Sequence, residues 1–461
     1  MVNDLKAKGT PQEAGLARRL GLATATALVI GEVIGVGIFL VPAQMAKSLG
    51  SPGWLLIVWL TMGAGAIGGA LCYGALAARY PEAGGGYVYL KEAYGPRTAF
   101  LYGWLSLFVT DPGLTAMLAA GLANYVKYLV PLSTWELRGV AVTAIIILAA
   151  VNMLGVSLSS GTLRVLVALK LGLLGFLVVW GFVMGQGDWS NLTPFWTQRP
   201  GSDDLLPALG FGLVGAFIAF AGWWDVSKVA GEIRDPERNL PRALILGVSI
   251  VTVVYIAVGV VFLYLVPPAR IASDDTAFAA LAGEALLGRA GGICFTLIVI
   301  ISVAGSLAAV LMAFPRVYYA MARDGLFFAS VAAVDPRRGT PMRSIAIQAS
   351  LGSILALSGT FDQILNYFMV PTMAFVALTV GAVFVLRRPT ATRPALSTPG
   401  FPVSPLLFLV PIVGVMALRI LRYPRETSIG FIILLLGVPV FGWVLTRRRT
   451  AGENIGTPST S

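Results

Sequence analysis

The side chains best placed to do chemistry are four ionisable groups set within long apolar runs: Glu32, Asp111, Lys170 and Asp225. Stripping such a group of its hydration is costly, so each must be paired, neutralised or functional. The usual catalytic sets are missing. The chain has no histidine, which removes Ser-His-Asp triads, His proton shuttles and His-based metal sites. Its two cysteines, Cys72 and Cys294, lie in apolar stretches and read as small buried hydrophobes, with no disulfide framework. Gly84-Gly85-Gly86 follows an apolar segment and leads into an interfacial helix, the wrong context for a phosphate loop. No cofactor, metal ion or nucleotide is implied.

A second kind of chemistry needs no side chain. Gly31, Gly35, Gly37 and Pro42 fall within twelve residues, too many helix breakers for a continuous helix. Gly210, Gly212, Gly215 and Gly222 bracket a short apolar run ending in Trp223-Trp224. Paired interruptions at corresponding places in two halves of a membrane protein mark a transport site. Unwinding frees N–H and C=O groups at mid-membrane, where each costs several kcal/mol if unsatisfied. A zwitterion can satisfy both kinds, its carboxylate on N–H groups at a half-helix N-terminus and its ammonium on freed carbonyls.

The elements that must hold these groups follow from composition. Of the 461 residues 57% are hydrophobic and only 12% charged, about half the charge of a soluble domain, ~25%. Lipid is therefore the main solvent, and a soluble enzyme, a disordered chain and a disulfide scaffold are excluded. Twelve apolar segments, at 20–46, 53–79, 94–129, 137–156, 162–185, 205–230, 242–267, 290–322, 341–358, 363–386, 402–421 and 427–446, predict an all-α integral membrane protein. The polar start and long first apolar run are unlike a cleaved signal. With the N-terminus inside, 23 Lys and Arg fall on the inner side, nine outside, and Lys170 within a span. That asymmetry predicts a multi-pass protein of the plasma (inner) membrane with both termini cytoplasmic. It also explains the net charge of +11 without nucleic acid, since the basic residues are scattered among loops. Gly63, Gly65, Gly68 and Gly69 read as residues that let helices approach closely.

Three stretches in order resemble the amino acid–polyamine–organocation superfamily, most closely its L-type amino-acid transporter branch. Gly35-Val36-Gly37-Ile38-Phe39 with Pro42 is similar to its first-span motif. Pro81 to Gly95 is similar to its first cytoplasmic loop, and Gly231-Glu-Ile-Arg-Asp-Pro236 through Pro241 to its signature after span six. Val151-Asn152 and the stretch around Lys170 also match residues of the L-type branch. The resemblance covers about residues 20–446 and implies a LeuT-type five-plus-five inverted repeat with broken helices one and six. The implied organisation is a tail (1–19), a ten-helix core (20–386, with repeats 20–185 and 205–386), two further helices (402–446) and a second tail (447–461).

The resemblance also implies a site. Val33, Ile34, Gly35, Val36 and Gly37 of span one and Ile218, Ala219, Ala221 and Gly222 of span six would hold the substrate. The N–H groups of Val36 and Gly37 would meet its carboxylate; the carbonyls of Val33, Ile218 and Ala221 would meet its ammonium. Val36 replaces the family's small polar residue, and Ile218 the gating aromatic, although Phe217 and Phe220 flank it. Lys170 would stand where sodium sits in sodium-coupled relatives, bridging span one to span eight through Ser302; a purely structural tether is the alternative. Glu32 is expected either to pair with Lys170 or to be protonated or line the inner vestibule. Asp111, before Pro112, is expected either to answer backbone freed by the proline or to touch the substrate side chain. Asp225 is expected near the cytoplasmic end, in an interfacial or loop salt bridge. The loop from Lys127 to Arg138 has no cysteine, so no disulfide-linked heavy chain is expected.

Taken together, the expectation is an amino-acid transporter, not an enzyme, carrying substrates with neutral side chains by alternating access. Exchange of one amino acid for another fits Lys170, with facilitated diffusion and proton symport left open. A cationic amino-acid or polyamine carrier and a transport-dead sensor are the alternatives.

Overall fold

The computed structural model describes residues 18, 20–82, 84–154, 160–185, 187–267, 270–271, 278–331, 333, 340–359, 361–389, 396–422 and 424–450. Most of the two expected tails lies outside these. The described residues form helices α1 (Leu22–Val33), α2 (Gly37–Leu49), α3 (Pro52–Arg79), α4 (Gly86–Tyr94), α5 (Pro96–Leu105), α6 (Asp111–Leu129), α7 (Thr134–Met153) and α8 (Ser160–Val183). They continue with α9 (Leu205–Phe220), α10 (Pro236–Leu265), α11 (Phe278–Ala313), α12 (Pro315–Arg323), α13 (Met342–Ser358), α14 (Phe361–Leu386), α15 (Val403–Arg422) and α16 (Pro424–Thr450). No strand occurs among the described residues, only an isolated bridge between Leu20 and Ile233.

Ten of these helical stretches are long and apolar enough to cross a bilayer, and the pair α1–α2, bent by 42°, adds one more. The twelfth expected span is α13, which at 17 residues stands at the lower limit of a crossing. The chain is a multi-pass membrane protein. Close helix approach is bought by small residues, as expected for α3. A methyl group added at Gly63 would fall 2.5 Å from Thr252 on α10, and one at Gly68 2.4 Å from the Ser404 carbonyl on α15. Cys72 is buried, but Cys294 is exposed on the outer surface of α11 rather than buried as its sequence surroundings had indicated.

Both predicted interruptions are present, and each has a local cause. Span one leaves the helix at Ile34, runs non-helically through Gly35 and Val36, and restarts as α2. Span six is an unbroken helix through Phe220. It then stops at Ala221–Gly222, with Gly222 at φ +102°, and resumes as a tighter helical segment from Trp223 to Glu232. That φ is accessible to glycine at little cost and strained for any other residue. Gly210, Gly212 and Gly215 therefore do not break the span. Span three is also irregular. A π-helical turn at Ser106–Thr110 joins α5 to α6 just before Pro112, a feature that often accompanies functional sites.

One face is drawn together around the start of span one. Leu20 N–H donates to Glu232 O (2.9 Å) and Arg234 N–H to Leu20 O (2.8 Å), so the chain entering span one is tied to the chain leaving span six. Lys91 on α4 pairs with Asp324 at 2.5 Å, Tyr87 donates to the same carboxylate at 2.8 Å, and Arg316 reaches Glu232 at 3.4 Å. Gly84 N–H donates to Lys228 O at 3.1 Å, which seats the loop before α4 on the second half of span six.

Candidate functional site

The two interruptions lie against each other. A Cβ on Gly37 would fall 2.8 Å from the Ala219 Cα, and one on Gly222 would fall 3.2 Å from the Glu32 main chain. Contact this close requires glycine at position 37, because no side chain fits between the two backbones. At the start of α2 the Phe39 N–H donates to Val36 O at 3.1 Å, and no side chain caps the helix.

The freed carbonyls of α1 are largely taken by protein groups. Lys170 Nζ donates to Gly31 O (2.9 Å), Ile34 O (2.9 Å) and Ser306 Oγ (2.6 Å), and Ser306 in turn reaches Gly31 O at 3.2 Å. The Tyr255 hydroxyl lies 3.0 Å from both Val33 O and Ala219 O, sharing one proton between span one and span six. Ile218 O accepts from Ala221 N–H at 3.2 Å. Gly31 O thus accepts from both Lys170 and Ser306, and Val33 O accepts from the Gly35 N–H (2.7 Å) as well as from Tyr255.

Two expectations about Lys170 are corrected. Its hydroxyl partner on span eight is Ser306, one helical turn beyond Ser302, and the buried Ser302 hydroxyl has no hydrogen-bond partner among the described residues. Glu32 forms no ion pair with it. Both line a small hollow with Gly31 and Ser306, but the ammonium is spent on three oxygens of spans one and eight. The carbonyls win because they point down the axis of α1 from its C-terminal end, where the helix dipole favours a cation.

Beside the break of span six is a cavity of about 650 Å³, mouth included, lined largely by apolar groups. Phe217, Ile218, Ala221 and Gly222 form one wall; α6 contributes Leu114 and Met117, and α14 contributes Phe368 and Phe375. Phe217 stacks on Trp224, with centroids 6.0 Å apart. Phe220 turns away and packs between Trp59 and Tyr255, so only one of the two flanking phenylalanines faces the cavity.

The cavity ends at a buried charge cluster. Lys228 Nζ lies 2.9 Å from Asp225 Oδ1 and 3.7 Å from Asp111 Oδ1, with all three side chains at most 3% exposed. Tyr318 donates to Asp111 Oδ2 at 2.5 Å, and Lys228 also sits 3.6 Å over the Phe314 ring. This corrects two expectations. Asp225 is a core residue rather than an interfacial one, and it is buried together with Lys228. Asp111 serves side chains on two other spans rather than the backbone freed by Pro112. The i, i+3 spacing of Asp225 and Lys228 was visible in the sequence. What concealed the cluster was the helix packing that brings Asp111 of α6 against them.

The sequence pattern of the amino acid permease family matches residues 20–447. The chain belongs to that family. Among similar proteins, the human "Cystine/glutamate transporter" is 29% identical over 434 residues, 92% of this chain and 85% of the relative. The human "Large neutral amino acids transporter small subunit 2" is 30% identical over 437 residues, 92% and 80% of the two chains. The human "b(0,+)-type amino acid transporter 1" is 30% identical over 416 residues, 88% and 84%. The superfamily and the L-type branch expected from the three motifs are thus borne out.

For the permease, the geometry makes two comparisons decisive. Gly37→Val forces a branched side chain into the Ala219 main chain, and overpacking costs ~1–3 kcal/mol. Uptake in proteoliposomes is expected to fall about tenfold or more, while the protein still inserts. Lys170→Ala leaves Ile34 O without its donor and Gly31 O with Ser306 alone, at about 1–3 kcal/mol for the unsatisfied carbonyl. Uptake should fall by about tenfold or more, Ser306→Ala should fall less, and Ser302→Ala should stay within about twofold of wild type. Equal losses for the two serine variants would contradict the assigned partner.

Proposed function

We propose that this permease moves L-amino acids with neutral side chains across the membrane by alternating access, exchanging one amino acid for another. The observation that carries this reading is the crossing of two broken spans at Gly37 and Ala219 beside an apolar cavity. The N–H groups of Val36 and Gly37 take the α-carboxylate. The carbonyls of Val33, Ile218 and Ala221 take the α-ammonium, Val33 O by giving up one of its present donors, with Ile34, Gly35, Ala219 and Gly222 shaping the backbone around them. Phe217, Ile218, Leu114 and Phe368 receive the side chain.

Lys170 does the work of a bound cation in this scheme. It holds the end of α1 against span eight, and the two halves of the bundle rock about the site. A fixed ammonium cannot leave with the substrate, which fits exchange better than ion-driven accumulation. The relatives' names include transporters of large neutral amino acids and of cystine and glutamate, which supports an amino-acid substrate without choosing its side chain. The apolar lining favours a neutral one. Asp111 and Asp225 would invite a cationic side chain, but the ammonium of Lys228 stands between them. The excess of Lys and Arg on one set of loops favours cytoplasmic termini, and neither cysteine lies in the loop between spans three and four, in keeping with no disulfide-linked partner.

Two measurements test the reading. In a thermal-shift screen of the twenty amino acids, neutral ones are expected to raise the melting temperature, since a ligand bound only to the native state stabilises it. Liposomes preloaded with such an amino acid should then take up labelled substrate at least about tenfold faster than empty ones, the expected signature of exchange. Equal rates would leave facilitated diffusion. No flux at all would point to a sensor that kept the fold. Competition by arginine or putrescine stronger than by leucine would assign the cationic class.

A further inference from the structure

The cluster next to the cavity has two carboxylates and one ammonium, Asp111, Asp225 and Lys228, all buried. With every group ionised it carries one uncompensated negative charge in a buried site. Neither Asp111 Oδ1 nor Asp225 Oδ1 accepts a hydrogen bond of good geometry, although the Lys228 ammonium lies beside both. The other titratable groups that face the cluster do not correct the balance. They are Tyr73 on α3, Tyr102 on α5, Tyr318 on α12 and Glu32 at the end of α1, and the cavity-facing residues of α14 are uncharged. Lys170 lies on the far side of Glu32 and is committed to span one. An isolated buried charge is strongly unfavourable, so the closed arrangement calls for one more positive charge.

Three carriers of that charge can be compared. A metal ion needs several oxygen ligands and room among them, whereas Lys228 already fills the space between the carboxylates. A cationic substrate side chain reaching along the cavity meets Asp225 and Lys228, which line it, while Asp111 stands behind them. It would therefore approach a like charge. A proton needs no space, and its binding turns one carboxylate into a carboxylic acid.

The placement also supplies a cycle. Asp225 and Lys228 are on the segment after the break of span six. Asp111 and Tyr318 are on α6 and α12. Rocking of the broken segment against those helices brings the groups together out of water or separates them into it. We propose that the Asp111–Lys228–Asp225 cluster takes up one proton from solution as the amino-acid site closes, so that the occluded permease holds a proton beside its amino acid. The proton belongs to the coupled pair of carboxylates rather than to either one alone. The inference rests on the amino-acid reading above and adds a separate ion site to it.

The test uses purified full-length protein near neutral pH in weakly buffered solution with a pH-indicator dye. L-leucine and L-alanine are added in turn at saturation, and binding is followed in parallel by thermal shift. Wild type should take up about one proton per bound amino acid, while Asp111→Asn and Asp225→Asn should each take up less than about a tenth. Either variant suffices if the other does not fold. A thermal shift in wild type without proton uptake overturns the proposal, as does full uptake in either aspartate variant. A shift only with L-arginine or L-lysine, again without uptake, overturns it in favour of a cationic side chain. If no amino acid produces a shift, the transport reading itself fails, and the ion site falls with it.

Discussion

A main-chain carbonyl or N–H group opened at bilayer depth must find a partner, because lipid offers none. Two helices of this protein are opened there, and much of the surrounding architecture answers that demand. Lys170 and Ser306 meet Gly31 and Ile34 at the end of α1, and Tyr255 meets Val33 and Ala219 together. At the start of α2 the Phe39 N–H finds Val36 O. The site is thus stabilised as a set of main-chain dipoles, and side chains from spans five, seven and eight set how tightly the two breaks are held.

The same partners couple the breaks mechanically. Tyr255 touches span one and span six at once, and Gly37 and Gly222 let the two backbones come into direct contact. A ligand that engages one break therefore acts on the other through a short path of hydrogen bonds and main-chain contact. At the opposite end of the cavity the Asp111–Lys228–Asp225 cluster gathers charges from spans three and six, with Tyr318 following span eight. Charges buried this deeply are favourable only in the right combination and geometry, so the cluster favours a defined closed arrangement over intermediate ones.

Legibility in the sequence varied with the range of the interaction. The excess of apolar residues over charged ones and the run lengths marked the spans. Clustered glycines marked both interruptions, although at span six only Gly222 turned out to break the helix, since Gly210, Gly212 and Gly215 serve packing within α9. Lys170 stood out as a cation with no water to reach, and its link to span one was readable from family resemblance. Its partner was misplaced by one turn, Ser302 for Ser306, because both serines lie on the same face of one helix and only their height relative to Lys170 separates them. Tyr255 gave no signal, being one tyrosine in an apolar helix whose hydroxyl happens to reach two carbonyls.

By itself the sequence determined an all-helical membrane chain, its family and the two places where main-chain groups must be exposed, because composition, period and glycine spacing act locally. The tertiary structure alone decided which groups satisfy that exposure, that Phe217 rather than Phe220 faces the cavity, and that Asp225 and Lys228 are buried with Asp111. Those outcomes depend on the height and rotation of one helix against another, and residues more than a hundred positions apart in the chain meet only once the helices are packed.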